Sequence, residues 1–250
     1  MAIEGVIFDM GHTLMHLDGT WPEMFEQGAS DLVCFIEKHE PSLDAEALAR
    51  TWLERRTEGY ARAQDTLREV TAEETMRRSL AKYGLTDPDP ELLAGAIDAF
   101  FAHEEARWFA DPEAILVLQA LSNLGLRLGM LSNATHEPLI QRLVDCLGFR
   151  PWLDPALSSA TTGIRKPDPE AFAPHLDAWT LSPASVVMVG DTLEADIQGA
   201  QQAGMRSVWL RSRQDARQEG DAVPSTSESP AVPDAMIEQL GQLPDCLLAL

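Results

Sequence analysis

Positive charge is what this chain lacks most. Against 40 Asp and Glu stand only 19 Lys and Arg in 250 residues, a formal charge of −21. Affinity for nucleic acid comes from neutralising phosphates with Lys and Arg, so no nucleic-acid partner is expected. Lysine is scarcer still: Lys38, Lys82 and Lys166 are all there is, and Arg fills most basic positions. Cysteine is also sparse. Cys34, Cys146 and Cys246 are odd in number, widely spaced and without a C-x-x-C pair, which excludes a disulfide framework and points to free thiols in a reducing cytoplasm. No apolar run approaches the ~20 residues that a membrane helix needs, so no membrane partner is expected. Met1-Ala2-Ile3-Glu4-Gly5 is acidic and enters the first apolar run at once, so no signal peptide is expected either. No internal repeat occurs. The length suffices for one large domain or two unequal ones with a real core, as a monomer or homodimer.

What the chain does contain is a series of short apolar runs, several of which end in polar clusters. Val6-Ile7-Phe8 delivers Asp9 into the turn Met10-Gly11-His12-Thr13. Leu128-Gly129-Met130-Leu131 runs into Ser132-Asn133. Arg165-Lys166-Pro167-Asp168-Pro169 precedes an apolar helix. Val186-Val187-Met188-Val189 runs into Gly190-Asp191-Thr192, with Asp196 five residues beyond Asp191. In open α/β sheets ligands sit outside the carboxyl ends of the strands, which is where these clusters fall. Each cluster alone has a plainer meaning. Asp9 can be a turn former, Lys166 a solvated lysine, and Asp191 and Asp196 helix-start acids; Asn133 and Thr135 before Glu137 spell a helix cap. All four in this order and spacing make coincidence the poorer explanation.

As a set, the four clusters resemble the haloacid dehalogenase (HAD) superfamily, and the likeness extends to Ala203-Gly204-Met205 and Pro233-Asp234-Ala235-Met236-Ile237. The resemblance is to the helical-cap subgroup of phosphoglycolate phosphatase and related small-molecule phosphatases. It implies an α/β fold, a Rossmann-like doubly wound parallel sheet with an inserted all-helical cap. It also implies a small-molecule phosphate ester as substrate, Asp9 as nucleophile with Ser132 and Lys166 as its catalytic partners, and Thr13, Ser132, Asn133 and Lys166 binding the phosphoryl group. Asp9, Asp191 and the carbonyl of Gly11 are its implied Mg²⁺ ligands, with His12 and Asp196 in support. The chemistry agrees with these types. A carboxylate attacking a phosphoryl group meets like charge, worth about 1 kcal/mol in water and about 4 at a drier contact. A hard cation and a lysine answer that repulsion. On so acidic a chain, Lys166 and Arg165 are the local cations expected to overcome the global field.

From about residue 113 to 210, short apolar strands alternate with amphipathic helices, which reads as β-α units and a parallel sheet. Residues 20–107 instead read as helices: Glu23 to Lys38, Asp44 to Arg62, Ala72 to Tyr83 and Pro90 to Arg107, punctuated by Pro41, Gly84 and Asp87-Pro88-Asp89-Pro90. The expected domains are a core of residues 1–16 plus 108–250 and a helical cap of 17–107, hinged near Leu17-Asp18-Gly19 and Ala110-Asp111-Pro112. Arg55, Arg56, Arg77 and Arg78 are the candidates in the cap for substrate contact, although solvated helix-surface arginines are the commoner case. Ser212 to Ser229, without periodicity, reads as an extended surface loop. Pro233 to Ile237 reads as a last edge strand.

One departure bears on mechanism. Phosphatases of the resembled group carry a second Asp two residues after the nucleophile, where this chain has Gly11. That removes an acid/base worth roughly 10²–10⁴ in rate. Three readings stay open: a Mg²⁺-dependent phosphatase, a C–X bond hydrolase such as a 2-haloacid dehalogenase, and a non-catalytic phosphate-binding or regulatory protein.

Overall fold

A computed structural model describes residues 2–211 and 231–250; the loop expected over Ser212 to Ser229 lies outside the described residues. Six parallel strands form the central sheet: β1 (Gly5–Phe8), β4 (Arg127–Ser132), β5 (Ala156–Ser158), β6 (Val186–Gly190), β7 (Arg206–Leu210) and β8 (Ala235–Ile237). Their spatial order is β5-β4-β1-β6-β7-β8. The chain thus starts in the middle, builds outward to one edge, returns, and builds to the other. That reversal puts a crevice at the carboxyl end of β1, flanked by β4 and β6.

The strands are mostly apolar because both faces of the sheet are covered. Val6, Phe8, Met130, Val187 and Val189 point into one hydrophobic cluster, while Ile7, Leu131, Val186 and Met188 point into the other. The first cluster is much the larger. It runs without a break from the sheet through Leu14 into the helices that follow, where Trp52 and Phe100 meet edge to face at 5.5 Å.

Those helices are α1 (Trp21–His39), α2 (Ala45–Thr66), α3 (Ala72–Lys82) and α4 (Pro90–Glu105). Their starts obey cap chemistry: Asp44 accepts from the Ala47 amide, Thr71 from that of Glu74 and Asp89 from those of Glu91 and Leu92. Two short strands escaped the sequence reading. β2 (Met15–Leu17) and β3 (Trp108–Ala110) pair antiparallel, with Leu17 opposite Trp108. At three residues each they are too brief to show alternation. They tie together the two ends of the helical segment at the places expected to be hinges.

α8 (Ala173–Trp179) carries His175 under the sheet. His175 is fully buried, with Nε2 near the carbonyls of Met130 and Pro155, and burial pushes its imidazole down to about 4. The unfolded chain protonates this histidine near pH 6.5 and the folded one resists until about 4. Its contribution is therefore present above pH 6.5 and lost as pH falls toward 4, by up to about 3 kcal/mol. Urea midpoints between pH 7 and 4.5 should drop less steeply for His175→Gln than for wild type; parallel profiles would contradict this.

Candidate active site

Asp9 leaves β1 with its amide bonded to the Val189 carbonyl at 2.8 Å, which fixes it at the crevice. Lys166 meets it there. The Lys166 ammonium donates to Asp9 Oδ1 at 2.6 Å, to Asp196 Oδ1 at 2.7 Å and to the Leu131 carbonyl at 2.7 Å. Those three bonds use every proton the ammonium has. Asn133 holds the lysine's own backbone on both sides, its Oδ1 accepting from the Lys166 amide and its Nδ2 donating to the Lys166 carbonyl. The capping role open to Asn133 is thereby excluded. His136, not Asn133 or Thr135, stands at the start of α6 (Glu137–Cys146).

The second acid loop closes the arrangement. Asp196 binds the Thr192 amide through Oδ2 and Lys166 through Oδ1, so both its oxygens are engaged. Only glycine fits at position 190, since a Cβ there would stand 2.2 Å from Asp196 Oδ2. Carboxylate oxygens of Asp9, Asp191 and Asp196 lie within 4.8 Å of one another.

Three carboxylates gather near the one ammonium of Lys166, those of Asp9 and Asp196 buried and that of Asp191 half-buried. The carboxyls respond as electrostatics requires. Burial, reinforced by repulsion from Asp191 and opposed by Lys166, raises Asp9 above the ordinary range. Burial and repulsion from Asp9 lift Asp196 to about 6 against the pull of Lys166. Burial alone would lower Lys166, but Asp196 and Asp9 outweigh it and hold the ammonium. Carboxylate oxygens are the hard donors that a divalent cation takes. With Asp196 spent on Lys166 and Thr192, the residues fitted to hold such an ion are Asp9 and Asp191.

These groups open onto a cavity of about 990 Å³ that is also lined by Gly11, His12, Ser132 and Asn133. Ser132 ends β4 and is buried at the wall. His12 sits in the left-handed region at φ 58°, its ring 5.6 Å from that of Trp108. Gly11 is not required by space, because a Cβ there would meet only the Trp108 ring at 3.6 Å. Thr13 stands apart from the group. Its side chain is buried, its hydroxyl has no partner, and it is not among the cavity-lining residues.

Two arginines differ from expectation. Arg165 is not a spare cation, since it pairs with Glu69 at 2.6 Å, both buried, and lies over the Tyr60 ring. Arg77 and Arg78 pair with Glu73 and Glu74 on the surface of α3. Arg56, by contrast, lines the cavity. A signal for it was available: Ala45, Ala49, Trp52, Arg56, Gly59 and Ala63 follow alternating four- and three-residue spacing, which places Arg56 in the inward stripe of α2.

With the geometry in place, comparison with known proteins is decisive on kinship. Residues 3–204 match the family model described as haloacid dehalogenase-like hydrolase. The chain belongs to that family. Among curated relatives of this chain, a phosphoserine phosphatase of Thermus thermophilus is 36% identical over 121 residues, 48% of each chain. A glyceraldehyde 3-phosphate phosphatase of Methanopyrus kandleri is 31% identical over 125 residues, 50% of this chain and 53% of that one. The chain spans about half the length of the curated relatives it matches. Among solved structures, a 2-haloacid dehalogenase from Pseudomonas syringae pv. Tomato superposes with a TM-score of 0.68 at 26% identity, covering 99% of this chain and 98% of that one. Among the described residues, no helix is long and apolar enough to cross a membrane.

Proposed function

We propose that this hydrolase is a Mg²⁺-dependent phosphatase of a small phosphorylated metabolite, acting through an aspartyl-phosphate on Asp9. The observation that carries the reading is the grouping of buried Asp9 and Asp196 with half-buried Asp191 around the ammonium of Lys166. A C–X bond hydrolase has no use for a divalent cation, and a phosphoryl-transfer enzyme does. The curated relatives named as phosphatases point the same way.

In this reading a carboxylate oxygen of Asp9 forms a bond to phosphorus as the ester P–O bond breaks, and the leaving oxygen takes a proton. Asp9 and Asp191 would hold Mg²⁺, which would supply charge against the like-sign approach. Lys166 neutralises phosphoryl oxygen charge from the side of Asp9, and Asp196 keeps that ammonium in place. The Ser132 hydroxyl, on the same wall, donates to a phosphoryl oxygen. Water then cleaves the acyl phosphate and frees Asp9. His12, the residue after Gly11, lines the same cavity and carries an imidazole, a group suited to proton transfer. The helices between β2 and β3 act as the cap that encloses the substrate, and the exposed thiols of Cys34 and Cys146 suit a reducing cytoplasm.

Gly11 and the dehalogenase superposition favour the second reading, C–X hydrolysis. Phosphate release from p-nitrophenyl phosphate and alkyl phosphates, beside halide release from 2-chloropropionate, separates the two. Expected is phosphate release only, with the activated ester at least about tenfold faster, because the missing carboxylate matters least where the leaving group needs no proton. Halide release in EDTA would establish the dehalogenase instead, and silence on both would leave a binding protein.

A further inference from the structure

Among the described residues, Arg56 is the most anomalous side chain. It lies in the inward stripe of α2, and its guanidinium stands 4.7 to 5.7 Å from the ring centres of Phe100, Phe101, Phe25 and Trp52. Its Nη1 is sealed from solvent and has no hydrogen-bond partner. Glu104, buried nearby on α4, is the obvious counter-ion, yet the two form no ion pair, and Glu104 instead accepts from Trp108 Nε1 at 3.3 Å. A guanidinium short of acceptors in an apolar wall destabilises a fold. Its presence makes sense where a ligand brings the acceptor. The cavity that Arg56 lines is the one containing Asp9 and Lys166.

We propose that Arg56 is a second anion subsite on the helical wall, receiving the carboxylate of a substrate that carries both a phosphoryl group and a carboxylate. This rests on the phosphatase reading, in which the phosphoryl group occupies the Lys166 end. The charge count selects a carboxylate over a second phosphate. Arg165 is committed to Glu69, so Arg56 stands as a single positive charge with Glu104 close by. A carboxylate adds one negative charge beside Glu104, whereas a phosphate dianion adds two. The planar fork of arginine suits a carboxylate, and the ring lining excludes water and strengthens the pairing. Burial lowers the guanidinium to about 10 against the pull of Glu104, which still leaves it charged at neutral pH.

The test uses ω-phosphonooxy carboxylates of two to five carbons, each against its methyl ester, which keeps the skeleton and deletes the charge. Calorimetric binding is measured on the Asp9→Asn protein, where turnover does not intervene, and kcat/KM on the wild-type background. At the best chain length the acid is expected to exceed its ester at least about tenfold in both. In Arg56→Met that ratio should collapse to within about twofold of one, through affinity and KM. Arg56→Lys, which retains charge but not the fork, should restore part of it. Arg56→Met keeps a long side chain against the rings but deletes the charge that acts on Glu104, so its fold is checked by circular dichroism. If it fails to fold, Arg56→Lys with a ratio unchanged from wild type overturns the subsite. So does an acid/ester ratio near one in wild type, or one that survives in Arg56→Met. Phosphate release without acid preference sinks this proposal alone. Acid preference in binding with no phosphate release sinks the phosphatase reading and leaves the subsite standing.

Discussion

Asp9→Asn is expected to lower phosphate release by at least about 10⁴-fold, the scale on which loss of an enzymic nucleophile is felt. An amide cannot form the acyl phosphate, so no residual route of comparable speed remains. The fold should survive. Lys166 keeps Asp196 and the Leu131 carbonyl as partners, and replacing Asp9 removes one of three crowded carboxylates. Melting within a few degrees of wild type by circular dichroism, with turnover gone, is the expected pair of results. Turnover within tenfold of wild type would remove Asp9 from the nucleophile's place.

The second large effect concerns the ion. Excess EDTA should abolish turnover and Mg²⁺ should restore it, while Asp191→Asn should lose at least about 10²-fold and not be rescued by ordinary Mg²⁺ concentrations. A readout independent of turnover accompanies it. A divalent cation that binds among Asp9, Asp191 and Asp196 offsets the mutual repulsion of these acids, so Mg²⁺ should raise the melting temperature of wild type. At one hundred times its dissociation constant the gain is about 2.7 kcal/mol. Asp191→Asn should show much less of that shift. Full activity in EDTA, with no thermal response to Mg²⁺, would contradict the metal role and favour direct attack on a C–X bond.

How far the amino-acid sequence foretold this molecule depended on the range of the interactions involved. The strand ends bearing Asp9, Ser132 and Asp191 were legible because apolar runs and the acids behind them are adjacent in the chain. Helix starts at Asp44, Thr71 and Asp89 were legible for the same reason. The two-stranded ribbon was not, since Leu17 and Trp108 are partners only in space. Asn133 deceived locally: its neighbours spelled a helix cap, but its side chain crosses to Lys166. Arg165 deceived through charge alone, because nothing near it in the chain reveals Glu69. Arg56 differs in that its position was encoded in the spacing of α2 and was masked by the expectation that arginine faces water.

The pairing of Glu69 with Arg165 has a consequence for recombination between relatives. Glu69 lies between α2 and α3, and it also accepts from the Ser159 hydroxyl; around it the Glu69 amide bonds the Gly163 carbonyl, the Arg165 amide bonds the Leu67 carbonyl, and Arg68 pairs with Asp168. All but the Ser159 contact join the helical segment to the loop that presents Lys166, and Ser159 lies just ahead of that loop. The helices therefore cannot be traded as a self-contained module cut at Leu17 and Trp108. A chimera that imports a new helical segment inherits a foreign residue opposite Arg165, and a buried cation stripped of its partner costs about 3–5 kcal/mol. Exchange of substrate range by grafting thus requires a third, internal splice, with residues 67–72 and 163–168 carried over as one unit.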